Sequence, residues 1–226
     1  VTAPTLGPWF GRTLAHPVRQ ALEHTATDAV WEFGAGTGDL ALQLLDSLGE
    51  AVQRYTIIEL SGALRAHQQA KLSAHAHKVQ WLSEWPEAIE GVVLGNEVMD
   101  AMPVQLLQRS QGQWYERGVV AAAPGAERAW AWQDRPSSAR PPVDIEGKHD
   151  YLTEVHPQAE AFVRSLAERL QRSHRPGVVI LLDYGFPESE YYHPQRHMGT
   201  VMCHRAHRAD SDPLADVGLK DITAHV

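Results

Sequence analysis

The 226 residues, 43% hydrophobic and 21% charged, suit one large globular domain, or a core plus an insertion, with a substantial interior. A formal charge of -8 argues against a general nucleic-acid binder, whose affinity comes from a basic patch. The one cysteine, Cys203, excludes an internal disulfide framework and fits a reducing, cytoplasmic-type compartment; no apolar run approaches membrane-spanning length, and the first residues lack the shape of a signal peptide.

The opening, Thr2-Ala-Pro-Thr-Leu-Gly-Pro-Trp-Phe-Gly-Arg, has no start methionine and reads as the middle of something longer. Leu14, Val18 and Leu22 then space as one helix face. A strand is predicted over Ala29 to Phe33. It breaks at Gly34, and a helix resumes by Asp39 with Leu40, Leu44, Leu45 and Leu48 as its apolar stripe and Gly49 as C-cap. Between them Gly34, Gly36 and Gly38 alternate, free of any Cβ, so the backbone can turn tightly and approach a ligand. The helix N-terminus points its free N–H groups into the same crevice. Strand, glycine turn and helix start together describe a nucleotide site at the carboxyl edge of a parallel sheet.

A second strand, Tyr55 to Glu59, leads to Ser61 as N-cap of a helix reaching about Leu72. Glu59 stands about twenty residues past the glycine turn, where an acid grips ribose hydroxyls. Lys78-Val-Gln-Trp-Leu and the wholly apolar Gly91-Val-Val-Leu-Gly are the third and fourth strands. Alternating strands and helices indicate an α/β fold with a mainly parallel sheet and right-handed crossovers.

The pattern then changes. Val104 to Ser110, Gln113 to Ala122 and Arg128 to Trp132 are strand-like runs parted by Gln111-Gly112 and Pro124-Gly125, which reads as an inserted antiparallel meander over residues 104–133. Its Trp114, Tyr115, Trp130 and Trp132 suit sheet-face packing better than a partner surface. Asp134 to Val143, with its prolines and serines, is expected as a loop. Helical spacing returns at Ala159, Phe162, Val163, Leu166 and Leu170 and stops at Pro176-Gly177. The strand Val178-Val-Ile-Leu-Leu ends at Asp183-Tyr-Gly-Phe-Pro, and Glu188 to Arg196 is expected as a flap over the site. Asp221-Ile-Thr-Ala-His-Val stops in mid-strand.

Thirteen histidines invite a metal site. The near pairs His75/His77, His193/His197 and His204/His207 form no H-E-x-x-H set and have no cysteines at zinc spacing, so scattered histidines and no metal are expected. Counting G-x-G-x-x-G from Gly34 puts Asp39 in the last place. Counting from Gly36 puts Ala41 there, which a looser dinucleotide fingerprint accepts, but that match starts two residues after the strand has broken.

What stands in full is Glu32-x-Gly-x-Gly-x-Gly, which resembles motif I of the class I S-adenosylmethionine methyltransferases. After the fourth strand comes Gly95-Asn96-Glu97-Val-Met-Asp100-Ala-Met-Pro103-Val. Glu97 and Asp100 are three apart, so one helical turn would place both carboxylates on one face, suited to a guanidinium. These motifs, with Trp114-x-Glu116, Asp183-Tyr-Gly and Asp221-x-Thr-Ala-His-Val, occur in the order found in MidA-like methyltransferases, whose mitochondrial members methylate an arginine on a complex I subunit during its assembly. The resemblance covers nearly the whole chain. It implies a single Rossmann-like methyltransferase domain over residues 1–226, incomplete at both ends, with S-adenosylmethionine as cofactor. Glu32, Gly34, Gly36, Gly38, Glu59, Leu60 and Asn96 are its expected cofactor-binding residues, and Asp100 and Glu97 its expected catalytic pair. The implied partner is a protein with an accessible arginine; a homodimer is compatible, and the implied location is the cytoplasm, or the mitochondrial matrix in a eukaryote. A small-molecule methyltransferase on the same fold and a cofactor-binding assembly factor without catalysis stay open as alternatives.

Overall fold

The computed structural model describes residues 2–206 and 208–225. In chain order the elements are α1 (Ala3–Leu6), α2 (Trp9–Thr25), β1 (Ala29–Phe33), α3 (Asp39–Leu48), β2 (Arg54–Ile58), α4 (Gly62–Lys71), β3 (Val79–Leu82) and β4 (Gly91–Asn96). Then come β5 (Gln105–Ser110), β6 (Gln113–Ala121), β7 (Trp130–Pro136), β8 (Tyr151–Val155), α5 (Pro157–Gln171) and β9 (Gly177–Leu182). α6 (Glu188–Tyr191), β10 (Met202–Arg205), β11 (Arg208–Asp210) and β12 (Asp221–Thr223) follow. The chain forms two compact units, Val1–Val98 with Phe162–Asp183, and Met99–Ala161 with Tyr184–Val226.

The first unit holds a five-stranded parallel sheet in the order β3-β2-β1-β4-β9. β1 is central and buried along its whole length, as expected for a strand covered on both faces. The leucines of the two sequence-read helix faces, Leu14 and Leu22 of α2 and Leu40, Leu44, Leu45 and Leu48 of α3, pack with Val18 into one core against Val30, Ile57, Val92 and Leu94. β9, the most apolar strand in sequence, is an edge strand and only half-buried. Strand order runs outward from β1 to β2 and β3, then reverses to β4 on the other side. Such a reversal opens a crevice at the carboxyl ends of the two strands that flank it.

The second unit contains a four-stranded antiparallel sheet, β7-β6-β5-β8, and a three-stranded one, β11-β10-β12. The meander is therefore longer than its sequence signals. β7 runs on through Gln133, Asp134 and Arg135 because Arg117 on β6 pairs with Asp134 through two hydrogen bonds of 2.8 Å, which anchors polar residues that read as loop. β8 has no counterpart in the sequence reading. Its Glu154 is buried against the backbone N–H groups of Thr200 and Val201, so an acid marks the inside of this strand. The expected flap is also packed: Tyr191 is buried and its hydroxyl donates to Glu154 Oε2 at 3.2 Å. Trp114 is half-buried beside Tyr151, whereas Trp130 and Trp132 are exposed.

Gly91 opens β4 with φ at +91°, and a Cβ there would lie 2.3 Å from the Ala29 carbonyl oxygen. Backbone in a central strand cannot retreat from such a contact. Gly91→Ala should therefore cost about 2–4 kcal/mol of stability, seen as a lower urea midpoint at unchanged slope. An unchanged midpoint would mean that β1 and β4 can part without loss.

Candidate functional site

The crevice at the β1/β4 reversal is where the glycine turn sits. Gly34, Gly36 and Gly38 all adopt left-handed backbone, with φ of 67°, 52° and 83°. At Gly36 a Cβ would point into open space, so its backbone is bare toward the crevice. At Gly34 a Cβ would lie 2.8 Å from Val98 Cγ2, so that glycine is needed for packing. A cleft of about 220 Å3 opens here, lined by Glu32, the Gly34–Thr37 backbone, Asp39, Leu40, Asn96 and Glu97, with Thr2, Pro4 and Thr5 beside it.

The turn is tied from behind by a residue that sequence reasoning missed. Gln68 of α4 is fully buried; its Nε2 donates to the Gly36 carbonyl at 2.8 Å and to Glu59 Oε2 at 3.0 Å, and its Oε1 accepts from Trp81 Nε1 at 2.9 Å. A glutamine on a polar helix face carries no sequence signal of such a role. Glu59, just past β2, also accepts from Ser61 N at 2.8 Å. Leu60 beside it is 81% exposed, and neither Glu59 nor Leu60 lines the cleft.

Glu32 reaches the cleft from inside the sheet. The residue is 2% exposed, and its carboxyl accepts from Tyr55 Oη at 2.7 Å. Burial raises its pKa from 4.5 to about 7, against the opposing effect of the Tyr55 hydrogen bond. The Tyr55 hydroxyl is itself pushed well up by burial and by the neighbouring acid.

At the end of β4 the expected helical turn from Glu97 to Asp100 does not form. Glu97 has φ of +51°, which no right-handed turn contains, while its N–H donates to the Leu182 carbonyl at 2.9 Å in continuation of the β4–β9 ladder. The pairing holds the backbone extended up to Asn96, and the chain must then bend sharply at a non-glycine residue. Glu97 belongs to the first unit and Asp100 to the second. Asp100 is buried, accepts a hydrogen bond from the Tyr184 hydroxyl, and its carbonyl accepts from Ala224 N at 3.0 Å. The His225 ring stacks edge-on to Tyr184 at 5.1 Å. The sequence motifs Asp183-Tyr-Gly and Thr-Ala-His thus meet Asp100 in one cluster, a relation that their separation along the chain hides.

Among the described residues no three His, Cys, Asp or Glu side chains are grouped to hold a metal ion. His75 instead contacts Asp46 at 2.8 Å, and His207 lies outside the described residues. Nor is any helix among them long and apolar enough to cross a membrane.

The cleft fits a ligand that needs close backbone approach at Gly36 and carries positive charge toward Glu32 and Glu97. Comparison with known proteins bears on which ligand. A model of a family of S-adenosyl-L-methionine-dependent methyltransferases (Methyltransf_28) matches residues 10–226. The chain belongs to this family. A COG1565 superfamily member from Burkholderia thailandensis, solved bound to S-adenosyl-homocysteine, is 46% identical with a TM-score of 0.89, over 100% of this chain and 59% of that one. The mitochondrial NDUFAF7 homolog of Drosophila melanogaster, a protein arginine methyltransferase, is 30% identical over 98% of this chain and 49% of its own length. The Caenorhabditis elegans counterpart is 24% identical over 100% of this chain and 58% of its own. The chain thus spans about half the length of the curated relatives it matches. The family is one of S-adenosylmethionine-dependent methyltransferases, and the Rossmann-like α/β class with added antiparallel strands is the observed fold.

Glu32 makes stability pH-dependent in a way that isolates it. Between pH 4.5 and about 7 the unfolded chain has released this proton and the folded chain retains it. The unfolded state then binds fewer protons, so stability falls as pH rises through that window and levels off above it. Glu32→Gln removes the titration. The stability of the natural chain relative to this variant should drop by about 3 kcal/mol from pH 4.5 to 7.5, measured by urea unfolding at each pH. A constant difference across that range would mean that Glu32 ionises freely in the folded state.

Proposed function

We infer that this chain transfers a methyl group from S-adenosylmethionine to a guanidinium nitrogen of an arginine in a partner protein. The observation that carries the reading is the bare-backbone cleft at the strand-order reversal, bordered by the acids Glu32 and Glu97. Bound there, the cofactor supplies an electrophilic methyl group on a cationic sulfur. Gly34, Gly36 and Gly38 shape the backbone that receives it, with Glu32 and Asn96 as polar contacts. Glu59 takes the ribose hydroxyls. Its oxygens already accept from Ser61 and Gln68, yet each carboxylate oxygen has a second lone pair to offer. Leu60 offers exposed apolar surface beside it.

Asp100 and Glu97 are assigned to the acceptor. A carboxylate bound to two guanidinium nitrogens draws positive charge toward them and leaves the third richer in electrons. Tyr184, by donating to Asp100, fixes the carboxylate that does this. The printed names of the Drosophila and Caenorhabditis relatives, protein arginine methyltransferases, support an arginine acceptor, and their designation as mitochondrial supports a matrix location in a eukaryote, with the cytoplasm as the bacterial equivalent.

Calorimetry should give binding of S-adenosylmethionine and none of NAD, and Gly36→Val should abolish binding by filling the open space at a left-handed position. Asp100→Asn keeps the shape and an acceptor for Tyr184 while removing charge. Turnover of labelled methyl into protein arginine should fall about a hundredfold or more, with cofactor affinity within a few tenths of a kcal/mol. Normal turnover in this variant, or label recovered only in small molecules, would sink the arginine assignment.

A further inference from the structure

The cleft at the end of β1 has a wall that the glycine motif does not supply. Thr2, Pro4 and Thr5, from the start of the first unit, line it together with the backbone of residues 34–37 and with Asp39 and Leu40 of α3. The helix in this wall, α1, is four residues long, too short to hold itself in water. Its apolar hold is also slight: Pro4 is buried, but Leu6 and the nearby Trp9 are 78% and 74% exposed. What fixes the wall has to come from elsewhere.

Gln43 of α3 provides it with both ends of its amide. Nε2 donates to the Pro4 carbonyl at 2.7 Å and to the Gly7 carbonyl at 3.2 Å, and Oε1 accepts from Gly11 N at 2.9 Å. These are the groups left over where α1 and α2 fail to join. In an unbroken helix the Pro4 carbonyl would pair with residue 8, which is proline and has no N–H to give. The Gly7 carbonyl would pair with the Gly11 N–H, and the Gln43 amide inserts between those two. Gly11 makes the insertion possible. A Cβ there would lie 2.4 Å from Gln43 Cβ and 2.5 Å from Oε1. Asp39, one turn before Gln43 on α3, lines the cleft, so the helix that borders the cleft also carries the latch on its wall.

We propose that Gln43 is a positioning residue for S-adenosylmethionine: by splicing α1 onto α2 it holds Thr2, Pro4 and Thr5 beside the bound cofactor and slows its escape. The proposal rests on the reading that this cleft takes the cofactor, and adds what closes it. A glutamine that only capped α2 would contribute stability and leave cofactor release untouched. One that holds the wall sets the dissociation rate.

Two substitutions in the full chain separate these roles. Gln43→Met keeps the length of the side chain and removes all three bonds. Gln43→Glu, ionised at about pH 8, keeps an acceptor for the Gly11 N–H but has no donor for the Pro4 and Gly7 carbonyls. Both variants should release tritiated S-adenosylmethionine into excess unlabelled ligand about tenfold faster or more. Both should also speed amide hydrogen exchange over residues 3–7 of the cofactor-free chain. The urea midpoint should fall in Gln43→Met and hold in Gln43→Glu, which certifies a folded chain for the comparison. An unchanged release rate in Gln43→Glu overturns the proposal whatever Gln43→Met does, since the residue is then a cap and nothing more. Faster release without faster exchange over residues 3–7 overturns it as well, because the effect then runs through α3. The cleft reading has its own readout in the natural chain, where the cofactor should slow exchange over residues 34–40 and over residues 3–7. Protection of residues 34–40 alone removes the wall and leaves the cleft reading standing; protection of neither stretch removes both.

Discussion

The left-handed glycine turn at the end of β1 has to be held in place by a neighbouring side chain. Gly34, Gly36 and Gly38 take left-handed angles, and glycine pays the largest entropy loss when fixed in this way. The restraint comes from Gln68. Fully buried, with three hydrogen bonds, it joins the Gly36 carbonyl to Glu59 and to Trp81 of β3. Losing one partner would strand a buried amide at a cost of about 1–3 kcal/mol, so the network persists as a unit. The shape of the cleft thus depends on β2, α4 and β3 as much as on the motif that names it. Ser61 serves the same network twice, giving its N–H to Glu59 and accepting from Leu64 N to start the helix that carries Gln68.

Two further costs are concentrated around that cleft. Glu97 sits at φ +51°, a conformation that costs a non-glycine residue about 1–2 kcal/mol. Its N–H bond to Leu182 and the parallel β4–β9 pairing up to Asn96 offset this. Glu32 is an acid in an apolar interior with a pKa near 7, so its charged form is disfavoured until a cation arrives. Strained backbone and an acid of raised pKa thus lie together at the carboxyl ends of β1 and β4.

The motifs that place this site were legible in the chain because they are local. A strand, three alternating glycines and a leucine-striped helix are each read within a few residues, and the α/β class follows from their repetition. Leu14, Val18 and Leu22 are buried where their spacing puts them. What could not be read depends on contacts distant in sequence. Gln68 looks like any solvated glutamine until Gly36, 32 residues away, supplies its partner. Tyr184 is 84 residues from Asp100. β8 escaped because its inward acid breaks the alternation that marks a half-buried strand, and the polar end of β7 because a cross-strand Arg117–Asp134 pair overrides its loop-like composition. The helical turn expected at Glu97 failed for a related reason: spacing by three permits a helix, but the β4–β9 ladder had already committed that backbone to a bend.

Two buried glutamates show how burial alone fails to identify a functional acid. Glu154, 1% exposed, accepts from the N–H groups of Thr200 at 2.7 Å and Val201 at 3.1 Å and from the Tyr191 hydroxyl at 3.2 Å. Those donors replace the water that burial removed, and Gly199 leaves room for them, since a Cβ there would lie 2.4 Å from Glu154 Oε1. Its work is finished inside the fold: it anchors the turn before β10. Glu32, 2% exposed, has one donor among the described residues, Tyr55, and turns toward an open cleft instead of a loop. Glu32 has fewer of these compensating donors among the described residues than Glu154, and its pKa is raised accordingly. The contrast lies in how many donors the fold itself supplies to each carboxyl among the described residues.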